Sequence, residues 1–270
     1  MLELPEIETL RRETEREIGG RKVKSITVDK AHLAEGIKAT DFKRTEGAKV
    51  SAVKRRGACL VMNLDTGDRI IIDVSEGVAL RKAKGDEASW AEFAFTQGGP
   101  LRLLADIGDP RVGVLTTAEL DEALPPTGAI DLTEQTVSWV NFARALVGAG
   151  GALRSLLTDP GMVEGIGPLY ADEILWQAGL RPDRRAEKLG TQELRRLYRS
   201  VAEVLHDALK AGGTTTATNA FTDLSGKAGG YQDSLEVYGR DGQPCRRCRG
   251  TVVLDKFDGK PTYRCAQCQV

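Results

Sequence analysis

The sequence predicts an α+β, multidomain chain, with an N-terminal β-sandwich, a helical domain and a C-terminal β-hairpin that carries cysteines. Three observations carry that prediction. Short runs rich in β-branched residues recur from residue 21 to about 116. Beyond residue 131 the apolar residues take a helical spacing. Four of the five cysteines fall in the last 26 residues. A length of 270 residues allows two domains with their own cores. The expected boundaries are 1–123 for the sandwich with a leading helix, 124–131 for a linker, 132–234 for the helical domain and 235–270 for the cysteine tail.

The first element is an amphipathic helix over residues 5–18. Pro5 suits a first helical position, Glu6 and Glu8 suit the positive end of the helix dipole, and Gly19-Gly20 suit the stop. The strand-like runs follow: KVKSITV, KVSAVKR, ACLVMNL, RIIIDV, EFAFTQ and LRLLADI, separated by turn signals such as DTGD and QGGP. Regularly spaced short strands point to a sandwich or barrel. ALPPTGAID has the composition of a linker. VSWVNFARALV, ALRSLL, LYADEILWQAG and TQELRRLYRSVAEVLHDALKAGG then read as helices, the last stopped by Gly212-Gly213. TDLSGKAGGYQD, glycine-rich and polar, reads as a mobile loop.

In the tail, Cys245 and Cys248 form one short knuckle, and Cys265 and Cys268 form a second, sixteen residues on. Two such knuckles bring four thiolates to the corners of a tetrahedron, which suits one closed structural zinc ion (Zn2+). An iron–sulfur or redox role is the alternative. The stretch between them, TVVLDKFDGKPTYR, has a DG turn between two strand-like runs and reads as a hairpin. Four sulfur ligands leave no open position, so the metal folds the tail and the hairpin tip faces a partner.

Net charge is −1, which mildly discourages a nucleic-acid binder. The distribution qualifies that. From residue 240 onward there are seven basic residues against three acidic ones, a surplus that suits phosphate as well as solvent. No apolar run reaches the length of a membrane span, and the acidic, amphipathic start is no signal peptide. The expectation is a cytoplasmic monomer without membrane contact, nucleoid-associated if it binds DNA. His32, His206, Cys59, Trp90, Trp139 and Trp176 are isolated and read as surface or packing residues.

ELPEIETLRR, DPRVG, GIGPLYADEIL, GGTT, LEVYGRDGQPC and the four cysteines occur in that order. Together they resemble the Fpg/Nei family of DNA glycosylases, over essentially the whole chain. The resemblance implies a β-sandwich, a helix–two-turn–helix domain and a zinc-finger hairpin. It also implies damaged or abasic duplex DNA as the partner, base flipping, cleavage of the N-glycosidic bond and then of the abasic strand. The family's nucleophile is an N-terminal proline amine, with a glutamate beside it moving protons. Here that glutamate matches Glu3, and Glu6 matches the second acidic residue of the signature. The family's DNA contacts match Arg55, Arg56, Arg111, Arg154, Gly165, Gly167 and Lys260.

The departures from the family cluster. Leu2 replaces the nucleophilic proline. Removal of methionine needs a small second residue, so Met1 is expected to stay, which shifts the free amine by up to roughly 3.5 Å of chain. A misplacement of about 1 Å can cost a hundredfold in rate. Ala58 stands where the family has a lysine, and Asp73 and Glu76 stand where it has a histidine and a void-filling methionine. Gly113 replaces the phenylalanine wedge and Pro168 a phosphate-binding asparagine, while Lys260 replaces an arginine and so lacks its fork. Three readings compete. The favoured one is a diverged member that binds damaged or abasic DNA with lost or reduced glycosylase and lyase activity. The second is a working glycosylase with an altered mechanism, which uses the Met1 amine or water activated by Glu3. The third is a protein-interaction module without nucleic acid.

Overall fold

The computed structural model describes residues 2–82, 85–125, 129–133, 137–217 and 220–270. They form two units: residues 1–126 with 211–232, and residues 127–210 with 233–270.

The first unit opens with helix α1 (Leu4–Ile18), with Pro5 in its first turn. Strands β1 (Val23–Val28), β6 (Ser89–Phe95), β7 (Leu101–Gly108) and β5 (Val78–Lys82) make one four-stranded sheet in that order. Strands β2 (Val50–Arg56), β3 (Cys59–Leu64), β4 (Asp68–Asp73) and β8 (Arg111–Thr116) make a second. All the pairings are antiparallel. One buried apolar cluster draws on both sheets and on α1, with Leu60, Met62, Ile70 and Ile72 from one sheet and Leu80, Phe93 and Leu103 from the other. This is the expected sandwich. Strands β5 and β8 were not among the expected runs. Helix α2 (Thr117–Ala123) was also unexpected; it starts on a capping box in which Thr116 and Glu119 satisfy each other's backbone N–H.

The second unit holds α3 (Trp139–Ala149), α4 (Leu153–Leu157), α5 (Pro168–Ala178) and α6 (Thr191–Lys210), the four expected helices. It ends in the antiparallel hairpin of β9 (Val252–Phe257) and β10 (Lys260–Cys265). The hairpin turns on Asp258 at φ 49° and Gly259 at φ 73°. Two positive φ values make the tight turn that matches the twist of the flanking strands, and DG is the pair that adopts it most readily.

One segment groups differently from expectation. Residues 211–232 cluster with the first unit, although the sequence assigned them to the helical domain ending at 234. TDLSGKAGGYQD is therefore a docked segment, because Leu224 and the preceding Phe221 are both 1% exposed and sit in the sandwich core. Of the expected linker, residues 126–128 lie outside the described residues, as does Met1.

Candidate functional site

The site is built on the start of α1. Leu2 is 5% exposed and belongs to the sandwich core, so the position that the resemblance matches to a proline holds a packing side chain. Glu3 is the N-cap of α1 and is buried. Glu6 is fully buried, and its carboxylate is shared between two backbone donors. Oε2 accepts from Glu3 N at 3.1 Å and Oε1 accepts from Thr214 N at 2.7 Å. A buried carboxylate needs such donors, since leaving it without them costs several kcal/mol. Glu6 thus ties the first turn of the helix to the returning segment. Gly213, at φ 84°, permits the close approach: a Cβ there would lie 3.0 Å from the Phe221 ring and 3.1 Å from Glu6 Oε1. Farther along, Leu224 N donates to Glu13 Oε2 at 3.0 Å and Lys82 N donates to Leu224 O at 2.9 Å. The Arg81 guanidinium donates to the carbonyls of Thr222 and Asp223 and to the Thr222 hydroxyl. Sequence reasoning missed this latch; the buried pair Phe221 and Leu224 in an otherwise polar stretch was its one visible signal.

The other expected residues of this unit are held by neighbours. Ala58 sits in the β2–β3 turn and packs partly against the core. Arg55 donates to Gly57 O at 3.2 Å. Arg56 grips the end of α2, with Asp121 Oδ1 at 2.7 Å and Leu124 O at 2.9 Å. Arg111 is clamped in two places by Asp109, at 2.5 and 2.8 Å. His32, buried, stacks on Trp90 with ring centroids 4.2 Å apart and lies 3.1 Å from Pro110 O through Nδ1. A Cβ on Gly113 would come within 3.1 Å of both Ala34 and Ile71, so a side chain there requires these neighbours to shift by a few tenths of an ångström. Asp73 accepts from Ser75 N, and Glu76 is exposed in the β4–β5 turn. Burial, then the charge of Asp73, pushes the Cys59 thiol up to about 12, so it is an inert core residue.

In the second unit, Gly165 has φ 74°, Gly167 is the N-cap of α5, and Pro168 is its first residue. The side chain of Arg154, expected to meet phosphate, is 2% exposed and bonded to Asp172 Oδ1 at 2.8 Å and Pro261 O at 2.9 Å. Buried arginines are paired because an unpaired charge cannot be desolvated. Asp172 also accepts from Tyr263 N, and its neighbour Glu173 accepts from the backbone of Glu236, Val237 and Tyr238 at 2.8–2.9 Å. Burial raises both carboxyls, Asp172 to about 6 and Glu173 to about 7, against the pull of these donors. Two consecutive acids on α5 therefore fasten the tail to the helix. Lys260 and Arg154 line an open depression of about 350 Å³ with Ser155, Thr158, Phe257 and Asp258, and Ser155 Oγ is bonded to Asp258 at 2.8 Å. Three of the seven basic tail residues, Arg240, Arg246 and Arg264, are ion-paired. Arg247 lies over the Trp176 ring at 4.1 Å. Arg249, Lys256 and Lys260 make no ion pair with the described residues.

The four tail cysteines converge, with all four Sγ atoms within 4.8 Å of one another. Cys245 and Cys268 are 3.8 Å apart and Cys248 and Cys265 are 3.5 Å apart. Metal–sulfur bonds of about 2.3 Å at tetrahedral angles require sulfurs about 3.8 Å apart, so the residues fit a four-thiolate ion. The Trp176 indole donates to Cys245 Sγ at 3.4 Å, and Gly250 N and Cys268 N each donate to a cysteine sulfur at 3.4 Å. Such donors favour thiolate and fix the ligands.

Comparisons with known proteins agree over the whole length. The family model for the formamidopyrimidine-DNA glycosylase N-terminal domain matches residues 1–101, and that for the H2TH domain of the same glycosylase matches residues 129–220. The formamidopyrimidine-DNA glycosylase of Heliobacterium modesticaldum is 34% identical, with 100% of both chains covered. That of Enterococcus faecalis is 32% identical, over 100% of this chain and 97% of its own. Among solved structures, the MutM (Fpg) protein of Thermus thermophilus is 29% identical at TM-score 0.84, covering 99% of this chain and 98% of that one. The Lactococcus lactis Fpg in complex with DNA containing an abasic site is 27% identical at TM-score 0.85, with 99% of each chain covered.

Proposed function

The chain belongs to the formamidopyrimidine-DNA glycosylase family, and from that premise we propose that it binds damaged or abasic duplex DNA with lost or much reduced glycosylase and lyase chemistry. The observation that carries the reading is the burial of Leu2 in the sandwich core. An amine nucleophile must reach the anomeric carbon of an extruded nucleotide at bonding distance. Residue 2 here is an anchor, and exposing it would remove about 1.5–3 kcal/mol of apolar burial. The neighbouring acids are engaged as well, since Glu6 holds two backbone N–H groups. Glu3, Glu6, Ala58, Glu76 and Gly113 then mark the former reaction centre and wedge in the first unit, and Pro168 an altered phosphate contact in the second. DNA contact falls to Arg55, Arg56, Arg111, Gly165, Gly167 and Lys260, with Arg154 supporting the hairpin from within.

Cys245, Cys248, Cys265 and Cys268 hold one zinc ion in this reading. The ion supplies a closed structural cross-link that orders the hairpin carrying Lys260. The test is a titration of abasic and undamaged duplexes across a salt series, with strand scission followed on the same samples. Binding that favours the abasic duplex and weakens with salt, without scission, is the expected result. Scission at rates typical of an active glycosylase overturns the reading and supports chemistry by the Met1 amine, because water activated by Glu3 would release a base without cutting the strand. Binding to neither duplex at low salt overturns it in favour of the interaction module.

A further inference from the structure

We propose that the N-terminal half of α6 is a docking surface for a short acidic segment of a partner protein. Arg195, Arg196 and Arg199 are all exposed, and none makes an ion pair with the described residues. At 3.6 residues per turn the three fall within an arc of about 100°, with Arg195 and Arg199 stacked one turn apart. Like charges at that spacing destabilise a helix by a few tenths of a kcal/mol, and a carboxylate one turn away offsets them by a similar amount. Two carboxylates stand at the right spacing, Glu193 before Arg196 and Glu203 after Arg199. Both are turned elsewhere: Glu193 to Arg184 at 3.1 Å, and Glu203 to Gln177 at 2.6 Å. The arginines are left without a counter-charge, in contrast to Arg11, Arg56, Arg102, Arg111 and Arg154, which all have one.

The surroundings choose the partner's chemistry. Arg195 lies over the Trp139 ring at 4.5 Å, and Val140 beside that tryptophan is 42% exposed. Arginine and tryptophan beside apolar surface, without lysine, is the composition of a protein-binding hot spot. A guanidinium fork takes a carboxylate in two places. The same helix arc continues into exposed Glu203 and Asp207. A polyanion running along the helix, such as a nucleic-acid strand, would meet those carboxylates and be repelled. A segment with a few Asp or Glu residues and an apolar side chain for the Trp139–Val140 edge fits without that conflict.

The experiment uses the full-length, metal-loaded protein and two probes, a short fluorescein-labelled Glu/Leu peptide and a labelled abasic duplex. The peptide is expected to bind, and Arg195→Glu with Arg199→Glu to weaken it at least about tenfold, or roughly 1.4 kcal/mol. Duplex affinity is expected to stay unchanged. Lysine at all three positions keeps the charge and loses the fork, so an intermediate loss is expected. Arg249→Gln with Lys256→Gln on the tail is expected to leave peptide binding intact, which localises the effect. If the charge-reversed protein does not fold by circular dichroism, the glutamine pair at 195 and 199 replaces it. The proposal is overturned if the peptide does not bind, if the α6 variants bind it as the parent does, or if they lose the duplex and keep the peptide.

Discussion

The two ends of the chain have been treated in opposite ways. At the C-terminus four cysteine sulfurs from two knuckles lie within 4.8 Å, and Asp172 and Glu173 fasten the tail to α5 through Arg154 and four backbone N–H groups. Everything needed to hold a metal and present a hairpin is in place. At the N-terminus the helix that carries Glu3 and Glu6 is equally well made, but residue 2 has become part of the core. One end of the scaffold is thus arranged around four ligand side chains, the other around a packed apolar one. The four cysteines offer ligands that an ion would join, whereas the start of the chain is held by its own apolar side chains.

The largest effect should come from breaking the metal end. Chelation, or Cys248→Ser, is expected to abolish order in residues 237–270, because structural zinc supplies on the order of 10 kcal/mol or more to such small motifs. Hydrogen exchange alongside a zinc assay checks it, and slow exchange in the first unit should survive. Next is Leu2→Ala, which should destabilise the protein by about 2–5 kcal/mol in denaturant unfolding. A loss under about 0.5 kcal/mol would mean that Leu2 is not a core residue and would dissolve the contrast between the two ends. Third, Glu6→Ala leaves two buried N–H groups unsatisfied, at about 1–3 kcal/mol each. It should also loosen residues 211–232 toward faster exchange.

The smallest effect is a pH slope confined to the tail's fastening. Burial raises Asp172 to about 6 and Glu173 to about 7, above their ordinary values of 3.8 and 4.5. Protons are then held more tightly in the folded state. The stabilisation from this source is complete below about pH 4 and declines as pH rises from there through about 7. Glu173→Gln should flatten that decline in urea titrations at several pH values; an unchanged slope would place its origin elsewhere.

Much of this contrast was legible in the residues. Helix α1, six strands of the sandwich, both strands of the hairpin, the four helices of the second unit and the cysteine knuckles follow from periodicity, turn residues and ligand spacing. Strand β5 was hidden because VALRK is short and follows a turn, and β8 because its residues had been read only as a DNA-contact motif. Local pattern also could not show that Phe221 and Leu224 dock a glycine-rich loop, since their partners lie more than a hundred residues away. Arg154 kept a charge that matched a family contact, but its direction depends on Asp172 in the next helix. In each case a tertiary contact decided what composition left open.

The central claim is that residue 2 no longer offers a nucleophile, and borohydride trapping on an abasic duplex tests it most directly. The account predicts no covalent protein–DNA product for this chain under conditions in which a proline-bearing relative is trapped efficiently. A trapped product whose mass and peptide map place the DNA on the N-terminal residue would contradict it.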